Sequence, residues 1–93
     1  MLYILNKPGL EAVRQLAVIG ADDGGKAVLL VSDGVFLANE TQMERFEALG
    51  VDDVYAAEDA LEARNFEASS DVEVVDYDDM AGLLEEHDKI VVL

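Results

Sequence analysis

Most of the side chains in this sequence that could take part in chemistry are carboxylates. There are 21 Asp and Glu residues against six Lys and Arg. Three acidic pairs stand beside expected strand or helix ends, where aspartate also serves caps and turns. The pairs are Asp22-Asp23, Asp52-Asp53 and Asp78-Asp79. A calcium loop would need alternating oxygen ligands, a central glycine and a late glutamate, and no segment has that order. The spacing therefore predicts structural carboxylates and no metal site.

Nucleophilic chemistry has still fewer candidates. The sequence has no cysteine, which excludes disulfides, thiolate ligands and thiol nucleophiles. His87 is the only histidine and has no serine motif to pair with. The glycine pair at residues 24–25 precedes an expected strand, whereas a phosphate-binding loop follows one. We expect no catalytic residue and no cofactor.

The apolar run 27–31 predicts a buried strand. The run ends just before Asp33-Gly34. Gly34 permits a tight reversal, and Asp33 can hydrogen-bond the backbone two residues on. The alternative is that this turn contacts another polypeptide. Phe36 and Leu37 either pack on the sheet or contribute to the same contact.

Five apolar runs recur along the chain, and continuous apolar character is typical of strands covered on both faces. They are residues 2–5, 27–31, 54–57, 72–75 and 90–93. Between them lie helix signals: caps at Asn6, at Asn39 or Thr41 and at Asp76 or Asp78, and ends near Gly20, Gly50 and Asn65. This alternation predicts an α/β fold with parallel strands and right-handed crossovers. Functional loops of such sheets follow the carboxyl ends of strands.

The totals bound the class of protein. A chain of 93 residues predicts one domain, 1–93, and no apolar run reaches the roughly 18 residues of a membrane span. Together with the lack of a signal sequence at the start, this predicts a cytoplasmic protein. The net charge of −15 leaves no basic stripe for nucleic acid. It favours a salt-rich host, in which cations screen the repulsion; an ordinary acidic protein with a basic partner is the alternative.

Four segments together resemble one family, the TusB/DsrH subunits of the wider DsrE/DsrF/DsrH group. They are MLYILNK, VLLVSDGVFLA, VYAAEDALEARN and VEVVDYDDMAGLLEEHDKIV, which span nearly the whole chain. The most specific pieces are Asp-Gly-Val after the second strand and Asp-x-Leu-x-Ala-Arg after the third, here Asp59, Leu61, Ala63 and Arg64. Asn65 stands where the family usually has glycine.

The resemblance implies a three-layer α/β/α domain with a five-stranded, mainly parallel sheet. It also implies assembly with DsrE/DsrF-like subunits that pass persulfide sulfur, toward tRNA 2-thiouridine synthesis or along a dissimilatory pathway. In the sister subunit that carries sulfur, the cysteine lies near the end of the third strand. The matching region here, residues 56–58, offers Ala56 and Ala57.

Two functions compete at this point. The first is a non-catalytic subunit that scaffolds or regulates a cysteine-bearing DsrE-like partner. Its interface is expected at strand carboxyl ends, at Asp33, Gly34, Val35, Phe36 and Ala57. The second is a stand-alone homo-oligomer that binds a small ligand at those same ends.

Overall fold

A computed structural model describes residues 1–93 and contains one five-stranded sheet. The strands are β1 Leu2–Leu5, β2 Lys26–Leu30, β3 Val51–Ala57, β4 Glu73–Val75 and β5 Ile90–Val92. Their order is β4-β3-β2-β1-β5, and every neighbouring pair is parallel. The predicted α/β fold with a parallel sheet is confirmed.

Four α-helices and one 3₁₀ helix connect the strands. They are α1 Leu10–Ile19, the 3₁₀ helix Ser32–Leu37, α2 Glu40–Ala48, α3 Glu58–Ala63 and α4 Tyr77–Glu86. The chain steps from β1 to β4 in one direction and returns to the far side of β1 only for β5. With right-handed crossovers, α1 to α3 therefore cover one face and α4 covers the other. None of these helices has the length and apolar character needed to cross a membrane.

The hydrophobic core is divided by the sheet into two unequal parts. A cluster of 17 buried residues lies on the face covered by α1, α2, α3 and the 3₁₀ helix, and includes Tyr3 and Phe46. A cluster of five, including Leu2 and Leu83, lies under α4. Adjacent strand residues point to opposite faces, so Leu2 and Tyr3 belong to different clusters. All five residues of β2 are buried, which explains its unbroken apolar run.

Two of the three predicted helix caps are confirmed. The Asn39 side chain accepts a hydrogen bond from the Gln42 N–H at 3.0 Å, and Asp76 forms a reciprocal capping box with Asp79 at the start of α4. The predicted cap at Asn6 is wrong, because α1 begins at Leu10 after an extended Gly9 (φ −77°, ψ 160°). Proline disfavours a helical conformation in the residue before it, here Lys7, so a helix capped by Asn6 cannot form easily.

The predicted helix ends at Gly50 and Asn65 have the conformation that their residue types favour. Gly50 has φ +80° and Asn65 has φ 48°, both in the left-handed region. The start of β3 differs from the prediction, since this strand begins at Val51 and not at residue 54. Asp52 and Asp53 are exposed at its beginning, so the apolar run marks only the buried half of the strand.

Candidate interaction site at the carboxyl end of the sheet

The residues predicted to form an interface lie together where the parallel strands end. Residues 33–36 belong to the 3₁₀ helix after β2, and Ala57 ends the neighbouring strand β3. Asp33 and Phe36 are exposed, whereas Gly34, Val35 and Ala57 are buried. Of the five residues predicted for the interface, only Asp33 and Phe36 are therefore accessible to another molecule.

Gly34 has a different role from the predicted tight reversal. A Cβ atom at this position would collide with the Leu5 carbonyl oxygen and lie 2.8 Å from its carbonyl carbon. The left-handed residue of this turn is Ser32, with φ 49°. Glycine is needed because the 3₁₀ helix rests directly on the backbone at the end of β1.

The predicted hydrogen bond from Asp33 to the backbone two residues on is not formed. The Asp33 carboxylate instead binds a side chain, that of Arg64. The Arg64 Nε–H donates to Asp33 Oδ1 at 2.9 Å, and Arg64 Nη1 donates to the Ala60 carbonyl at 3.1 Å. This ion pair joins two motifs that stand 31 residues apart. Because 60% of the Asp33 side chain is exposed, the pair contributes at most about 1 kcal/mol to stability. Its main effect is to fix the 3₁₀ helix against the end of α3.

The exposed Phe36 ring is held in a defined orientation. It packs edge-to-face on Phe66, with ring centroids 5.4 Å apart and planes at 81°. Asn39 Nδ2 donates to the Phe36 carbonyl at 3.0 Å, and the Ser69 N–H donates to the Ala38 carbonyl at 2.9 Å. The segment after α3 is thereby attached to the 3₁₀ helix, and the aromatic pair forms a rigid apolar feature at the surface.

Asp59 links α3 to the start of α4. The Tyr77 hydroxyl donates to Asp59 Oδ2 at 3.2 Å, although the Tyr77 side chain is largely exposed. Asp59 and Arg64 thus each connect α3 to a different neighbour. The Asp-x-Leu-x-Ala-Arg motif consists of these two exposed polar contacts with buried Leu61 between them.

The end of β3 carries two small apolar side chains. Ala56 is fully buried and Ala57 is 2% exposed. Persulfide transfer requires a thiolate, which attacks as the nucleophile and then carries the sulfur. The alanine methyl groups at the end of β3 cannot supply a thiolate. The groups that this end of the sheet offers for contact are carboxylates, one paired guanidinium, a phenol and two phenyl rings.

An open depression lies beside α3, next to Phe66. Its volume is about 530 Å³. It is lined by Glu58, Leu61, Glu62, Asn65, Phe66, Glu67 and Val74. No group of three or more His, Asp or Glu side chains is arranged to hold a metal ion. The depression is the nearest candidate for the small-ligand alternative, and its three glutamates would repel an anion.

The other chemistry candidates lie elsewhere. Asp23 serves a turn, accepting a hydrogen bond from the Gly25 N–H at 3.2 Å, and Asp79 belongs to the capping box of α4. Asp23 and Asp79 thus occupy the turn and the cap predicted for their pairs. His87 follows the last turn of α4. Asp52 and Asp53 lie within β3 and not in a turn or cap.

Sequence patterns did not reveal a partly buried polar cluster at the amino end of the sheet. Lys26 is only 5% exposed, and its ammonium group donates to the Asp23 carbonyl at 2.7 Å. The Tyr3 hydroxyl donates to Asp23 Oδ2 at 3.1 Å. The only available signal for this cluster was a pair of polar residues on neighbouring strands. Tyr3 lies at an inward position of β1, and Lys26 begins β2.

These contacts change the pKa values of Tyr3 and Asp23. Burial raises the pKa of Tyr3, and the hydrogen bond to Asp23 and its charge raise it further. Burial would also raise the pKa of Asp23, but hydrogen bonds from the Gly25 N–H and the Tyr3 hydroxyl, with the nearby amino-terminal charge, lower it overall. The ionised carboxylate and the neutral phenol therefore stabilise each other.

Comparisons with known proteins match this architecture. The family model described as "DsrH like protein" matches residues 11–90. The crystal structure of the YchN protein from E. coli superposes with a TM-score of 0.74 at 15% sequence identity, covering 99% of this chain and 97% of that one. At this identity the likeness concerns the fold alone. No curated protein matches the sequence.

Proposed function

Because the chain belongs to the DsrH-like family, we propose that it is a non-catalytic subunit of a sulfur-relay complex. Family membership supports the role of a relay subunit. The finer proposal is that the chain docks a DsrE-like partner with a reactive cysteine. It further holds that the complex works in the cytoplasm and delivers sulfur for tRNA 2-thiouridine.

The observation that carries this proposal is the end of β3, where buried Ala56 and Ala57 stand in the region that bears the cysteine in a sulfur-carrying sister subunit. A subunit without a thiol cannot hold persulfide sulfur itself. It can still position or protect the thiol of a partner. In this proposal the transferred sulfur stays on partner residues throughout.

Docking is assigned to the surface around the 3₁₀ helix. Phe36 is 39% exposed and is braced by Phe66, which makes it a rigid aromatic anchor of the kind that dominates interface energies. Asp33 and Arg64 form an ion pair beside it and would supply a polar rim. An apolar anchor keeps its binding energy in concentrated salt, whereas purely ionic docking is screened.

Co-expression with DsrE-like and DsrF-like subunits from the same genome tests the proposal. We expect a stable complex at molar KCl, and Phe36→Ala should weaken its affinity at least about tenfold. Val92→Ser is the matched control, because Val92 is also exposed but lies on β5. A chain that binds neither subunit at any salt concentration would contradict the proposal.

The assigned pathway has its own test. Deleting the gene should lower the 2-thiouridine content of tRNA, measured by mass spectrometry of digested nucleosides, and the wild-type chain should restore it. Unchanged 2-thiouridine would remove the tRNA assignment and leave the docking proposal standing. A saturable thermal shift with a nucleotide or sulfur metabolite, without any partner, would instead favour the homo-oligomeric ligand-binding domain.

A further inference from the structure

Helix α4 covers its face of the sheet alone, and few apolar side chains attach it. One of its ten residues, Leu83, is buried, whereas α1 buries three residues and α2 and α3 bury two each. Met80 is partly buried and adds to the same contact. The cluster beneath α4 has five buried residues, against 17 on the opposite face of the sheet. The apolar contact that holds α4 to the sheet is therefore small.

Polar contacts add little to this attachment. The side-chain hydrogen bond from α4 to another element joins the Tyr77 hydroxyl to Asp59 on α3, and both residues are exposed. The capping box of Asp76 and Asp79 lies within the start of the helix and does not reach the sheet. Neither ion pair of the chain involves α4. Solvent therefore competes for the polar contact that ties α4 to the rest of the domain.

Carboxylates face one another across the gap between α4 and the sheet. A depression of about 340 Å³ lies between them. Its lining includes Glu73 of β4 and three carboxylates of α4, and it contains no Lys or Arg. The three are Asp78, Asp79 and Glu86. Like charges at short range repel one another, and here they stand on both sides of the contact that holds α4.

The same charges act on a side chain between the helix and the sheet, Tyr55 of β3. This phenol lines the depression. Burial raises the pKa of Tyr55, and the charges of Asp53, Glu73 and Glu86 raise it further. Asp53 and Glu73 belong to the sheet and Glu86 belongs to α4, so the fields of both elements overlap at this point. Glu86 also ends α4, where the helix dipole disfavours a negative charge.

We propose that α4 is a salt-dependent lid over the smaller apolar cluster. In concentrated salt the carboxylates are screened, and the contact of Leu83 keeps the helix on the sheet. As the salt falls, the screening length grows from about 3 Å at 1 M to about 10 Å at 0.1 M, which is comparable with the width of the depression. The helix then leaves the sheet before the larger core opens, and it uncovers Leu2, Ala27, Leu29 and Val75.

The lid and the sulfur-relay proposal can fail separately, because the docking surface around the 3₁₀ helix lies on the other face of the sheet. Hydrogen–deuterium exchange of the full chain tests the lid. As the salt is lowered stepwise from about 2 to 0.1 M KCl, we expect exchange in α4 to accelerate at least about tenfold more than exchange in α2 and β2. Loss of protection in all three elements at one salt concentration, or protection of α4 that lasts as long as that of α2, would overturn the proposal.

Two double variants locate the repulsion. Glu73→Gln/Glu86→Gln removes one carboxylate from each side of the gap and should slow the exchange of α4 at about 0.1 M KCl at least about tenfold. Glu11→Gln/Glu44→Gln removes the same charge from α1 and α2, away from the gap, and is the matched control. Circular dichroism at about 2 M KCl confirms that both variants are folded. Equal effects of the two variants on α4 would mean that only the total charge matters, and would overturn the proposal.

Discussion

At the amino end of the sheet the tyrosine–aspartate contact is partly buried, whereas at the carboxyl end a comparable contact is exposed to solvent. Tyr3 is fully buried and hydrogen-bonds Asp23, while Tyr77 is 74% exposed and hydrogen-bonds Asp59. The two hydroxyl–carboxylate distances are 3.1 and 3.2 Å. Equal geometry with unequal burial predicts unequal energy, because solvent competes for the exposed bond. The amino end therefore stabilises the fold, and the carboxyl end presents groups that another molecule can use.

The largest expected effect concerns salt. The net charge of −15 makes the carboxylates repel one another, and concentrated salt screens this repulsion. We therefore expect the chain to be folded at molar KCl and partly unfolded near about 0.1 M. Hydrogen exchange should show the amides of the 3₁₀ helix opening before those of β2, since exposed contacts hold the former. Circular dichroism measures the overall loss. A melting temperature that does not depend on salt would remove the prediction.

The next largest effect should come from Gly34→Ala, because the added Cβ would collide with the Leu5 carbonyl group at the carboxyl end of β1. We expect a loss of about 2–4 kcal/mol in the free energy of unfolding, measured by chemical denaturation at molar KCl. Gly82→Ala is the control, since a Cβ there meets nothing within 4 Å and the residue lies within α4. It should stabilise the chain by about 0.5–1 kcal/mol. Equal behaviour of the two variants would contradict the packing described for Gly34.

The same substitution at both ends tests the comparison directly. Tyr3→Phe should cost about 1–2 kcal/mol because it removes a buried donor to an ionised carboxylate. Tyr77→Phe should cost less than about 0.5 kcal/mol because water replaces the lost bond. Denaturation of both variants gives the difference, and a larger loss for Tyr77→Phe would reverse our assignment of the two ends.

The smallest effect should be the pH dependence of the amino end. The pKa of Asp23 is lowered in the folded chain, so its contribution to stability is present above its ordinary value of 3.8 and is lost as the pH falls below it. Asp23→Asn should therefore destabilise the chain at neutral pH and become less different from wild type in acid. Unfolding curves measured from about pH 6 to pH 3 test this, and a difference that grows in acid would contradict the sign.

Much of the fold follows from local rules that the sequence displays. The five strands, the left-handed Asn65 and the caps at Asn39 and Asp76 depend on residues within a few positions of one another. The remaining features depend on distant contacts. Gly34 packs on Leu5, Arg64 reaches Asp33, and Phe66 meets Phe36 only after the sheet has formed. The positions predicted for the interface came from strand order, but which of them are exposed was decided by packing.

Hydrogen–deuterium exchange of this chain, with and without a DsrE-like subunit that carries a cysteine, tests directly whether the 3₁₀ helix is a docking surface. We expect slower exchange on binding in the 3₁₀ helix Ser32–Leu37 and in the segment around Phe66, with β5 unchanged. Binding that leaves residues 32–37 unprotected, or no binding at molar KCl, would contradict it.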